Sequence, residues 1–224
     1  MREQAEIEAE LAPALRRSGL FCMGWFIMAD APFAGRAAVL VGNRAEAGGH
    51  GMWPAFAASS EYGDGLPDPL NRWTQRIVRP IAEAANSVAL YPFGETVWPF
   101  QRYAAAATGM RASPLGILIH PEYGLWHAFR AVLVMSGPVR LAARAQAVHP
   151  CDGCADKPCL SACPVSAVGI GGFDVGACRG HLASGNEPDC MALGCLARAA
   201  CPVGVAYPPD QIRFHMAQIG VGQG

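Results

Sequence analysis

Apolar residues keep a helical spacing in some segments of this chain and run continuously in others. Ile7, Leu11 and Leu15 recur every four positions, which lays them along one side of a helix predicted over residues 4–17. "AAVLVG" (37–42) is a short apolar run stopped by Gly42, the pattern of a buried strand. Residues 48–70, "GGHGMWPAFAASSEYGDGLPDPL", are punctuated by glycine and proline and are expected to be mostly loop. "NRWTQRIVRPIAEAANSV" (71–88) returns to helical character, with Pro80 expected to divide it in two because proline removes a helix hydrogen bond. "ALYPF", "LGILIH" and "RAVLVM" are three further strand candidates. Helices interleaved with such strands predict an α/β (α+β) sheet-and-helix domain.

From Cys151 onward few strand-like runs occur, and cysteine replaces leucine as the organising residue. The sequence therefore divides into a first domain over residues 1–145 and a second over 146–224, with the junction in "RAQAVHP" (144–150). The apolar fraction is high at 52% and the charged fraction is 16%, against the usual quarter. No apolar stretch reaches the roughly 20 residues needed to span a bilayer. The start, "MREQAEIEAELAPALRR", is acidic and amphipathic rather than a secretory signal, so a cytoplasmic location without membrane attachment is expected. The formal net charge is −1, and one lysine and sixteen arginines are scattered rather than gathered into a stripe. Nucleic acid is accordingly not the expected partner.

Cys22 stands alone among the nine cysteines and reads as a small buried hydrophobe. The other eight fall between residues 151 and 201. A reducing compartment disfavours four disulfides, so metal ligation is the stronger reading. The first run is Cys151-x₂-Cys154-x₄-Cys159-x₃-Cys163-Pro164. It is a stretched version of the bacterial ferredoxin run, whose fourth cysteine ligates the other cluster. Cys178 follows, and then Cys190-x₄-Cys195-x₅-Cys201-Pro202. The expected ligand sets are Cys151, Cys154, Cys159 and Cys201 for one [4Fe–4S] cluster, and Cys163, Cys178, Cys190 and Cys195 for another. Two Cys₄ zinc sites would use the same eight thiolates, although only one Cys-x₂-Cys knuckle is present. A single cluster with structural later cysteines is the remaining option. His149 and His181 neighbour the ligands in sequence and are expected at the surface or behind them.

Residues 91–137 are dense in aromatic side chains. Within them "HPEYGLWHAFR" places His120, Tyr123, Trp126, His127 and Arg130 on or just after a strand end. Large rings with interspersed hydrogen-bonding groups suit a flat, wide organic cofactor, while plain core packing is the alternative. "VGNRAEAGGHGMW" (41–53) lacks the GxGxxG register of a dinucleotide fold. No HExxH, Ser-His-Asp order or paired-carboxylate motif occurs.

"ILIHPEYGLWHAFRAVLVMSG" (117–137), preceded by "LYPF" (90–93), resembles the signature region of the CblC-type cobalamin-processing proteins, and "VLVGN" with "MWPAF" resembles an earlier part of the same pattern. The cysteine segment is similar instead to the module of epoxyqueuosine reductase and reductive dehalogenases that carries two [4Fe–4S] clusters. The combined resemblance implies a nitroreductase-like first domain followed by a small bacterial-ferredoxin-like iron–sulfur domain. It implies an oxidoreductase that holds cobalamin base-off, lined by His120, Tyr123, Trp126 and Arg130. An external donor such as a flavodoxin or ferredoxin reductase would supply electrons through the two clusters, and cobalamin or a cobalamin-related protein would receive them. The alternatives are a ferredoxin-type carrier whose first domain docks a protein, and an iron–sulfur flavin-type reductase. No acidic residue is singled out as a proton donor, which counts against tRNA modification.

Overall fold

The structure is a computed structural model that describes residues 1–49, 51–144, 148–185 and 189–219. In chain order it begins with β1 (Arg2–Glu3), α1 (Gln4–Arg16), β2 (Phe21–Ile27), β3 (Ala37–Arg44), α2 (Met52–Ala57) and α3 (Ser60–Gly63). It continues with α4 (Pro69–Ala84), β4 (Ser87–Leu90), α5 (Phe100–Thr108), β5 (Arg111–Ala112), β6 (Leu118–Ile119), β7 (His127–Met135) and β8 (Val139–Arg140). Then follow β9 (Val168–Gly169), β10 (Gly172–Phe173), α6 (Val175–Ser184), α7 (Asp189–Leu193), α8 (Leu196–Ala199) and α9 (Pro209–Ala217). Two compact units result: Met1–Arg44, Gly48–Gly109 and His127–Ala147 form the first, and Ala45–Ala47, Met110–Trp126 and Val148–Gly224 the second. The junction expected at 145/146 lies outside the described residues. Met110–Trp126, assigned to the first domain by sequence, belongs to the second unit.

The first unit is a mixed α/β body around a four-stranded sheet of order β2-β3-β7-β4, antiparallel throughout. The central strands β3 and β7 are buried along nearly their whole length, which is why both read as continuous apolar runs rather than alternating ones. Ile7, Leu11 and Leu15 of α1 are all buried, as their spacing predicts. The structure also adds elements. β2 escapes a pattern reading because Gly24 interrupts it beside a register shift between Cys22 and Gly24. The stretch expected to be loop contains α2 and α3, whose Trp53, Phe56 and Tyr62 rings gather with Trp73 of α4. Tyr62 stays exposed, but burying Trp53, Phe56 and Trp73 contributes about 1.5–3 kcal/mol each, enough to override weak local propensity. Pro80 does not divide α4, which runs unbroken from Pro69 to Ala84. Its ring lies on the exposed face, where the carbonyl released four residues earlier can be solvated.

One ion pair gives the first unit an acid sensitivity. Arg76 of α4 donates from Nε and Nη2 to both oxygens of the buried Glu61 carboxylate on α3, at 2.5 and 2.9 Å. The Arg76 hydrogen bonds hold Glu61 at about 2, against an ordinary 4.5. A carboxylate depressed in the folded state stabilises fully above its unfolded pKa, and that contribution is lost as pH falls through the folded value. Denaturant midpoints measured from about pH 6 to about pH 2 are therefore expected to fall below about pH 4.5, and Glu61→Gln to flatten that limb.

Candidate metal centre

The second unit contains only two-residue strands among its described residues, and its core is a small cluster of Leu115, Ile119, Leu125, Val168 and Ala197. Cys151, Cys159, Cys163, Cys195 and Cys201 pack directly against it. The expected strand "LGILIH" is reduced to β6 paired with β5, because Pro114 and Gly116 keep the preceding residues in a turn. Among the described residues no cysteine is in a disulfide.

The eight clustered cysteines sort into two quartets. Cys151, Cys154, Cys159 and Cys201 line one cavity. Cys163, Cys178, Cys190 and Cys195 line another, of about 350 Å³. Each quartet takes one member from the far run: Cys201 joins the first three, and Cys163 leaves them. The local turns explain the exchange. Cys151 and Cys159 sit in 3₁₀ turns at Pro150–Asp152 and Pro158–Leu160, with left-handed Lys157 between them. Lys157 closes that loop by donating from Nζ to the carbonyls of Cys151 and Cys154, at 3.0 and 2.9 Å. Cys178 lies on α6, which Asp174 caps by accepting from the Ala177 amide at 2.9 Å. Cys190 lies on α7, and Cys195 is the residue that opens α8.

Charge is the unsettled quantity in both cavities. Burial first, and the neighbouring thiols Cys201, Cys159 and Cys154 second, push the Cys151 thiol up. Cys159 is raised by burial and then by Cys201 and Cys154, and Cys178 by burial and then by Cys195, Cys163 and Cys190. These pairings fall within the two quartets and never between them. A bound cation reverses the sign of that repulsion and deprotonates coordinating thiols. One backbone amide already points at sulfur: Ala167 donates to Cys163 Sγ at 3.3 Å. Among the described residues, no three His, Cys, Asp or Glu side chains form a ready single-ion site.

His149 lies behind the first quartet. Its Nδ1 accepts from the Cys151 amide at 3.2 Å, which leaves the proton on Nε2, directed at the Ala112 carbonyl 3.2 Å away. The ring thus ties the Cys151 turn to β5, and Arg111 to Asp152 at 2.6 Å makes a second tie. Cys22 stays apart on β2 of the first unit, its thiol pushed up to about 12 by burial and then by Glu8, as an inert thiol would be.

The four residues expected to line a cofactor pocket are distributed over both units. His120, Tyr123 and Trp126 belong to the second unit and Arg130 to the first. His120 stacks flat on Tyr123, with ring centroids 3.8 Å apart, and its Nδ1 accepts from the amides of Glu122 and Tyr123. Trp126 is buried and packs edge-on to Tyr207 at 5.4 Å. Arg130 is buried on β7 and donates from Nε to Asn43 Oδ1 at 2.7 Å. His127 is buried beside Phe129.

Sequence reading missed three contributors in the second unit. Lys157 stands inside the first run as the sole lysine, and that was its available signal. Arg198 and Tyr207 gave none, being one arginine of sixteen and one tyrosine of five.

No family model and no curated protein matches the chain. Among solved structures it is similar to that of a C. elegans B12-trafficking protein CblC, a human MMACHC homologue, with 14% identity. The likeness covers 95% of this chain and 91% of that one, at a TM-score of 0.45. That score is below the level that establishes a shared fold, so the reading of the site rests on its own residues.

Proposed function

We propose that the chain is an iron–sulfur electron-transfer protein holding two [4Fe–4S] clusters and delivering electrons to base-off cobalamin. The observation that carries the clusters is the exchange of Cys163 and Cys201 between the two quartets. An exchanged fourth ligand is what the bacterial run uses to hold two clusters in one small module. The chemistry of the donor set fits: eight cysteine thiols outside any disulfide, grouped four and four, each group around a cavity. A single zinc ion, with Zn–S near 2.3 Å, would instead draw four thiolates around a point. When bound, the clusters supply one-electron storage at potentials set by nearby charge and hydrogen bonds. The protein supplies the rest. Lys157 fixes the first loop, His149 fixes its entry, and the Ala167 amide offers a hydrogen bond to a ligating sulfur.

Cobalamin enters on the resemblance of residues 117–137 to the processing family. A second reading, a ferredoxin-type carrier docking a protein partner without cobalamin, is favoured by one observation. His120, Tyr123, Trp126 and Arg130 are each engaged by other residues of their own unit. Anaerobic reconstitution with iron and sulfide, followed by titration with cobalamin, separates the readings. About eight irons per chain and a visible-spectrum change to the base-off form are expected. Full iron without that change leaves the second reading. Zinc in place of iron overturns both.

A further inference from the structure

The wall of the second cavity carries a charge without an obvious counterpart. Arg198, on α8 one turn beyond Cys195, lines the same cavity as Cys163, Cys178, Cys190 and Cys195. Its guanidinium lies 4.2 Å from the Trp126 ring centroid and 5.5 Å from that of Tyr207. Its Nε and Nη2 both donate to the Leu125 carbonyl, at 3.2 and 2.5 Å. Among the described residues no carboxylate pairs with it. Burial pushes its pKa down, while the nearby Tyr207 and Cys195 act in the opposite direction. A desolvated cation is costly unless an anion answers it, and aromatic faces answer only part of that charge. The same wall holds His181, whose buried Nε2 has no hydrogen-bond partner among the described residues. Two groups in one wall thus lack an acceptor or an anion, and both face a cavity lined by four thiols.

We propose that Arg198 is the built-in counter-ion of the anionic centre held by Cys163, Cys178, Cys190 and Cys195, and that it raises that centre's reduction potential selectively. The inference rests on reading this quartet as a cluster site. A fixed cation beside the centre stabilises its reduced, more negative state over the oxidised one, and the low-dielectric wall magnifies the effect. Arg198 acts here as a positioning residue for charge. The Trp126 and Tyr207 rings hold the guanidinium plane, and the Leu125 carbonyl anchors it through Nε and Nη2.

The test is a potentiometric titration of the full chain, reconstituted without oxygen, with electron paramagnetic resonance reading each reduced centre. Cys178→Ala identifies which signal belongs to the second quartet. Arg198→Gln is expected to lower the reduced-to-oxidised ratio of that centre about tenfold at fixed potential, ~59 mV for one electron, and to leave the other centre unmoved. Arg198→Lys is expected to restore most of the shift. If Arg198→Gln loses only the second centre while Arg198→Lys keeps it near the wild-type potential, the charge is again supported. Equal loss in both variants, equal shifts of both centres, or no shift overturns the inference. Wild-type protein that binds no iron overturns the cluster reading itself, a result distinct from an unmoved potential on a fully loaded chain.

Discussion

Cys163→Ala is expected to halve the bound iron, from about eight to about four per chain, and the lost half is the one attached to the later cysteines. Sequence proximity argues the reverse. Cys163 closes the run Cys151–Cys154–Cys159, so a sequential cage would lose the first centre and keep the second. The structure places Cys163 with Cys178, Cys190 and Cys195 around one cavity, and Cys201 in its stead around the other. Cys201→Ala should therefore abolish the centre of the first run, although 41 residues lie between Cys159 and Cys201. The measurement is iron content together with the resonance of each reduced centre in the two variants and their double. Additive loss to near zero in the double variant is the expected result. Loss of both centres in either single variant would mean that the module assembles only as a whole. Loss of the first centre in Cys163→Ala would sink the exchange.

How far the site could be read from the sequence depends on how it is encoded. Cysteine spacing is a local property: the sequence alone brings four cysteines into thirteen residues and repeats Cys-Pro at Cys163 and Cys201, while their role as ligands belongs to the proposal. The sheet was legible at β3 and β7 for the same reason, since strands buried on both faces carry uninterrupted apolar runs. β2 was not, because Gly24 and a register irregularity break its pattern. Nor were α2 and α3, whose glycine- and proline-bounded segment is held by rings meeting Trp73 of α4 rather than by propensity. Arg198 is the clearest case. Its carbonyl partner, Leu125, lies 73 positions away, and its ring partners Trp126 and Tyr207 are 81 residues apart from each other. Nothing in the one-dimensional pattern distinguishes it from fifteen other arginines. The membership of residues 110–126 in the second unit was hidden likewise, because what holds "HPEYGLW" is backbone contact with the chain after Cys201.

That contact makes the second large effect. Gly124→Ala is expected to destabilise the second unit by about 3 kcal/mol or more, enough to compromise assembly of the first quartet. Two costs combine. Gly124 has φ +59, where a side chain is strained, and a Cβ there would lie 1.8 Å from the carbonyl oxygen of Val203. That obstacle is backbone and cannot rotate away. The approach is reciprocal: a Cβ on Gly204, at φ +84, would meet the Tyr123 carbonyl oxygen at 2.3 Å. The two glycines thus let the His120–Gly124 turn lie against the segment that follows Cys201 and Pro202. Cys201 is the one member of the first quartet that comes from afar, so whatever seats this segment also seats the fourth thiol of that cavity. Gly116 supplies the control. It has φ +75 in the same unit, yet a Cβ would meet nothing within 4 Å. Gly116→Ala should therefore cost only the conformational strain, about 1 kcal/mol. Denaturant midpoints of the three variants, with iron content in parallel, carry the test. Gly124→Ala and Gly204→Ala should fall well below Gly116→Ala and lose the first centre before the second. Unfolding free energies for all three within about 0.5 kcal/mol of each other would refute the close approach as the cause.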